Sequence, residues 1–241
     1  MEPIDRRGQA PDRRSEWFVP QFGPIKFRMV IGLLFLPYTG MVLSYTIIGA
    51  MLSPIIYWDR VAAIVIIYFF GLGIAAHALD AIGGTGGMKP WGTHFSRKEL
   101  WGIAMIALML AYGIGLYYIV TSSPLLIIVA LLEGFFLFAY NLELFRGIFH
   151  TDGVFAFSWG VLPVCAGFII ETNTLSPSAV VFAGAMGLVS LVEINASRPY
   201  KGLKKAGGND PHQARYETIL KSISMAVILC AIGMILWRLQ H

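Results

Sequence analysis

Ionisable side chains are costly at membrane depth, and in this 241-residue chain three groups of them recur at helical spacing beside apolar runs. His77 and Asp80 stand three residues apart, which puts both on one face of a helix. Glu143, Arg146 and His150 follow at steps of three and four, with Asp152 just beyond, and Glu193, Asn195 and Arg198 make the third group. Brought to one mouth of a helical bundle, such groups form a binding site for a polar ligand. Taken singly they have simpler roles, with Glu143 pairing with Arg146 and Asp80 capping a helix end. Glu133, in the run LLEGFF, lies near the middle of an apolar segment. It is expected to be protonated or hydrogen-bonded to a neighbouring helix, with the gripping of a ligand deep in a cavity as the alternative. A transition-metal site from His77, His150, His212 and nearby carboxylates is a further reading, although these histidines are scattered and lack an HxxxH or ExxH pair.

The elements that must position these groups are apolar and long. The chain is 56% hydrophobic and 13% charged, too apolar to leave room for a separate soluble domain. Stretches at 29–52, 61–80, 100–121, 124–145, 153–170, 179–197 and 220–237 each approach the roughly 20 apolar residues that a spanning helix needs. None alternates with period two, which argues against a transmembrane β-barrel. The expected fold class is therefore all-α, a polytopic membrane helical bundle of about seven transmembrane helices. Residues 1–28 read as a charged, Pro- and Gly-interrupted cytoplasmic arm without the apolar core of a cleavable signal, and 29–241 as the membrane domain. Trp17, Phe18, Phe22 and Ile25 are expected along the membrane interface.

Basic residues fall almost wholly on one set of loops. Arg6, Arg7, Arg13, Arg14, Lys26 and Arg28 precede the first stretch, Lys89, Arg97 and Lys98 follow the second, and Arg146 follows the fourth. Arg198, Lys201, Lys204, Lys205, Arg215 and Lys221 surround the sixth-to-seventh loop, whereas the other side holds only Arg60 and Arg238. The positive-inside rule makes the N-terminus cytoplasmic and the C-terminus external in a cell membrane, which requires an odd number of spans. The net charge of +4 is thus explained by topology and by anionic lipid headgroups, and no nucleic-acid readout module is visible. Cys165 and Cys230 lack metal-ligand spacing and read as small core residues. Ala183, Gly184 and Gly187 form a small-residue face that permits close helix contacts, and the oligomeric state is not legible.

The loop after the second stretch, AIGGTGGMKPWGTHFSRKEL, contains two signals. Its GGTGG run would let backbone amides approach a phosphate, yet it lacks the Lys and Ser/Thr of a P-loop. Ser96 and Glu99 have the spacing of a capping box that opens the third helix.

With these features together, the chain resembles the UbiA superfamily of intramembrane prenyltransferases over roughly residues 25–240. Members carry an Asp-rich motif at the cytoplasmic end of the second helix, then a basic-Pro-aliphatic-small-Gly segment; here Asp80 stands nine residues before Lys89, which opens KPWGTHFSRKEL. Tyr140-Asn141-Leu142-Glu143-Leu144-Phe145-Arg146, followed by FAFSWGVLPVCAG, is similar to the family's Tyr-x-x-x-Lys-Arg stretch and its Gly- and Trp-containing fifth helix. The resemblance implies transfer of an isoprenoid from a prenyl diphosphate to a lipophilic acceptor, with the diphosphate held through Mg2+. It assigns Asp80, Glu193 and Asn195 to catalysis, the first two as metal ligands, and His77, Lys89, Tyr140, Glu143, Arg146, Arg198 and Lys201 to substrate binding. Tyr140, Phe155, Trp159 and Tyr200 would shield an allylic cation. The chain departs from the family where Leu72 and Ala76 replace earlier polar positions of the first motif, and the second Asp-rich motif is missing from EINASRPYKGLKKAGGND. It also has about seven helices where nine are common. These departures leave a second reading, in which the fold persists as a non-enzymatic lipid- or quinone-binding protein or assembly subunit.

Overall fold

The computed structural model describes residues 16–83, 95–206 and 210–241. Every regular element among them is helical. α1 (Ile25–Leu34) and α2 (Leu36–Met51) form a bent pair; α3 (Trp58–Gly83), α4 (Arg97–Thr121), α5 (Leu126–Asn141), α6 (Asp152–Thr172), α7 (Pro177–Ala206) and α8 (Pro211–Gln240) follow. Five of them, α3, α4, α6, α7 and α8, are long and apolar enough to cross a bilayer, and the bent pair makes a sixth. The chain is an integral membrane protein built as a helical bundle. α5 has only 16 residues, about 24 Å of helix against a hydrocarbon core of about 30 Å.

Little hydrophobic force drives helices together in lipid, so close packing of small residues must do more. α2 and α6 meet backbone to backbone: a Cβ on Gly49 would strike the Val164 carbonyl, and one on Gly167 the Thr46 carbonyl. At α6 and α7, a Cβ on Gly160 would lie 2.8 Å from the Gly187 Cα. The small-residue face that the sequence marks as a contact surface is thus used partly within the chain, with Ala183 buried as well. Cys165 is buried as expected, but Cys230 is exposed on α8 and is not a core residue.

Three departures from regular helix shape the site. α1 stops at Phe35, which adopts a left-handed conformation (φ 45°) rare for a bulky side chain. Pro37 follows two residues later and cannot donate its helical hydrogen bond. Within α3, residues Phe69–Ala76 form a π-helical segment just before His77. Within α6, Phe157–Val161 does the same around Trp159. Pro163 accounts for the second, because it has no N–H for the Trp159 carbonyl four residues earlier.

Helix ends differ from expectation where polar residues take over. α7 continues past residue 197 to Ala206, and α8 begins at Pro211, where the Asp210 carboxylate accepts from the His212 N–H at 2.8 Å. α5 ends at Asn141 instead of reaching 145. Glu143, Phe145 and Arg146 all have positive φ (50°, 54° and 60°), so Glu143, Arg146 and His150 do not share a helix face as their spacing suggests. The capping box is formed: Ser96 Oγ accepts from the Glu99 N–H at 3.2 Å, and Glu99 Oε2 accepts from the Ser96 N–H at 2.6 Å. Of the aromatic arm, Phe18 packs on Phe35 and Tyr38, whereas Phe22 and Ile25 are exposed. Glu16 docks the arm on α7, bonded to Tyr200 at 3.0 Å and Lys204 at 3.1 Å.

Candidate functional site

The ends of α3 and α5 are locked together because Gly83 lies against the backbone of Asn141 and Leu142, which leaves no room for a Cβ. That contact brings Asp80 near Tyr140. A ladder of rings then crosses the bundle end: Phe35 to His77 at 4.9 Å, His77 to Trp159 at 5.3 Å, Trp159 to Phe155 at 5.4 Å, Phe155 to Tyr140 at 5.9 Å, and Tyr140 to His150 at 4.4 Å. One π segment carries Trp159 and the other ends directly before His77, its neighbour in this ladder, and such segments are frequent at functional positions. His77 is buried, with Nε2 3.4 Å from Thr39 Oγ1. The Thr39 hydroxyl already donates to the Leu34 carbonyl at 2.6 Å, a group freed by the break at Phe35. With its hydrogen directed to Leu34, the Thr39 oxygen is left to accept from the His77 ring.

Arg198 is the principal cation on this ladder. Its Nη1 lies 2.8 Å from Asp152 Oδ1, and it also lies against the Tyr140 hydroxyl, which is within electrostatic reach of Asp80 and Asp152. The Arg198–Asp152 contact is ionic rather than a well-directed hydrogen bond, since Oδ1 has no hydrogen-bond partner of good geometry among the described residues. The Arg198 side chain is 44% exposed. Lys201, one turn on, places Nζ 5.5 Å from the Phe35 ring centre. His150 Nδ1 sits 3.1 Å from the Tyr140 carbonyl, one of those left over at the end of α5.

His77, Asp80, Tyr140, Arg198 and Lys201 thus assemble around one ladder, and Asp152 joins them as an acidic partner. Glu143 and Arg146 stand in the left-handed loop after α5, with Arg146 exposed. Glu193 points into the bundle, 4% exposed, near Tyr45 and Lys201. Asn195 is exposed and its Nδ2 donates to the Leu191 carbonyl of its own helix at 2.8 Å. Two residues on a helix are about 200° apart, so Glu193 and Asn195 cannot face one ligand together. Lys89 and the GGTGG run beyond Gly83 lie outside the described residues.

No group of three or more His, Cys, Asp or Glu that could hold a metal ion occurs among the described residues, which leaves the histidine-based metal reading without a site. Phe35 is the residue that sequence reasoning missed; the signal was Pro37, which disrupts the helix just after it.

A separate cavity of about 200 Å3 lies between α3, α4 and α5, lined almost entirely by apolar side chains. Leu72, Leu137 and Ala166 form part of its wall, and Glu133 is its one acidic group. Glu133 Oε1 accepts from the Tyr68 hydroxyl at 2.8 Å, so the bond to a neighbouring helix expected from the sequence is present.

Comparison of the chain with protein-family models, with curated proteins and with solved structures returns no match.

Proposed function

We propose that this is a divergent UbiA-like membrane protein of the prenyltransferase class, acting on a prenyl diphosphate and a lipophilic acceptor. The observation that carries the reading is the meeting of Arg198, Tyr140, Asp80 and His77 on an aromatic ladder at one end of a membrane bundle. Arg198 and Lys201 supply charge for a diphosphate, and Arg146 is exposed in the adjoining loop. When the allylic C–O bond breaks, its electron pair leaves with the diphosphate and positive charge develops on the isoprenoid carbon. Fixed cations favour the first, and the faces of Tyr140, Phe155 and Trp159 favour the second. An acceptor then bonds to that carbon and loses a proton. In this reading the chain crosses the membrane seven times, with α5 as the shortest passage. The site then faces the cytoplasm, with the N-terminus inside and the C-terminus outside the cell membrane.

The second reading, a lipid- or quinone-binding protein without transfer activity, is favoured by the position of Glu193 and Asn195. With one shut into the bundle and the other turned outward, two of the three side chains assigned to catalysis cannot face one ligand together. No step is therefore routed through the metal. A panel of prenyl diphosphates of increasing chain length, assayed with Mg2+ on the purified protein, separates the two. Binding that Asp80→Asn abolishes supports the first. Unchanged binding in that variant removes Asp80 from the site, and failure of the wild type to bind any chain length favours the second.

A further inference from the structure

Glu133 is an acid at membrane depth with one of its two carboxyl oxygens unpartnered among the described residues. Oε1 is engaged by Tyr68, but Oε2 is shut off from solvent and has no partner among the described residues. The other hydroxyl among the cavity's lining residues, on Tyr112, donates to the Ala130 carbonyl at 3.0 Å. Gly134 keeps Tyr112 there, since a Cβ at that position would overlap the tyrosine oxygen. Leaving a buried polar oxygen unpaired is costly, and more so where no water reaches it. A trapped water is a poor remedy, because it needs two to four polar partners and this cavity offers almost none.

We propose that the cavity between α3, α4 and α5 binds a lipophilic alcohol or phenol, whose hydroxyl pairs with Glu133 Oε2. A hydroxyl both donates and accepts, so it satisfies the carboxyl whether ionised or neutral. A ketone only accepts, and an ammonium only donates and brings a charge into the hydrocarbon. The cavity, at about 200 Å3, is smaller than the roughly 300–1,000 Å3 of sites that enclose a drug-sized ligand. It holds the hydroxyl-bearing end of the molecule. The remainder leaves past Leu116, Ile127 and Leu131, apolar rim residues exposed on the surface that faces lipid. Glu133 stands seven residues from Tyr140 on α5, about 10 Å along the helix. The hydroxyl is therefore not at the diphosphate end, and its binding does not depend on the transfer reading.

The test uses the full chain in detergent, titrated by native mass spectrometry with geranylgeraniol and with 4-dodecylphenol, each beside the corresponding hydrocarbon without the hydroxyl. The wild type is expected to prefer either hydroxyl compound, or both, over its hydrocarbon, and the arm that binds identifies an aliphatic or an aromatic source. Glu133→Leu should weaken that binding roughly tenfold. Gly71→Leu supplies an independent variant: Gly71 lines the cavity and a Cβ there meets nothing within 4 Å, so the position has room for the first atom of a side chain that is expected to occupy the space. It should abolish binding while leaving the melting temperature in place. Equal affinity for hydroxyl compound and hydrocarbon, or wild-type affinity in either variant, overturns the proposal. No diphosphate is present, so this outcome is independent of the prenyl diphosphate assays.

Discussion

At the end of the bundle carrying Arg60 and Arg238, both cations bond to backbone carbonyls at helix C-termini; at the end carrying Arg198, the cation meets a carboxylate and a phenol. Arg60 Nη1 donates to the carbonyls of Ile170 and Glu171 at 3.1 and 2.9 Å, closing the last turn of α6. Arg238 donates to the Met51 carbonyl at the end of α2 and to that of Ser53. Glu171 Oε2 in turn accepts from the Tyr57 N–H at 2.8 Å, tying the start of α3 to the same place. These charges satisfy orphan carbonyls and hold loops, as basic groups near helix C-termini do. Arg198 instead pairs with Asp152 and lies against the Tyr140 hydroxyl. The contrast separates charge that maintains the fold from charge that, in the proposed reading, a ligand recruits.

The contrast is open to direct attack. The largest effect on stability is expected from Arg60→Ala, which strips two backbone carbonyls of a charged donor and should cost about 2–3 kcal/mol in reversible unfolding in detergent. Prenyl diphosphate binding should be unaffected; a loss of binding would show that the two ends are not separable. Asp152→Asn removes the carboxylate that competes for Arg198. Geranylgeranyl diphosphate should then bind roughly threefold tighter, with stability changed by less than about 1 kcal/mol. If this variant is instead destabilised as much as Arg60→Ala, the Arg198–Asp152 pair is another structural tie. Asn195→Ala should be the smallest, within about 0.5 kcal/mol in stability and without effect on binding, because the exposed side chain bonds, among the described residues, to its own helix. A clear drop in affinity would return Asn195 to the site.

Much of this architecture is legible in the residues. Apolar runs and one-sided basic loops mark the membrane helices, Ser96 and Glu99 mark the start of α4, and the spacing of His77 and Asp80 places them on a common face. The site is only partly legible. Spacing cannot show that α5 stops at Asn141, because the following turn passes through left-handed conformations at Glu143, Phe145 and Arg146, which sequence patterns do not encode. Nor does it show which way Glu193 and Asn195 turn, since both lie within a long helix whose orientation is set by packing on α6 and α8. The π segments shift His77 and Trp159 into contact in a way that a regular helical count would miss.

The central claim is that the Arg198 end receives a prenyl diphosphate. Its most direct test is the affinity of purified wild-type protein and Arg198→Ala for geranylgeranyl diphosphate, with thermal unfolding followed on the same samples. Loss of a charge-assisted contact to diphosphate should weaken binding by roughly one to two orders of magnitude while the melting temperature holds. Equal affinity in the two proteins, or a loss of binding that merely tracks a loss of stability, would contradict it.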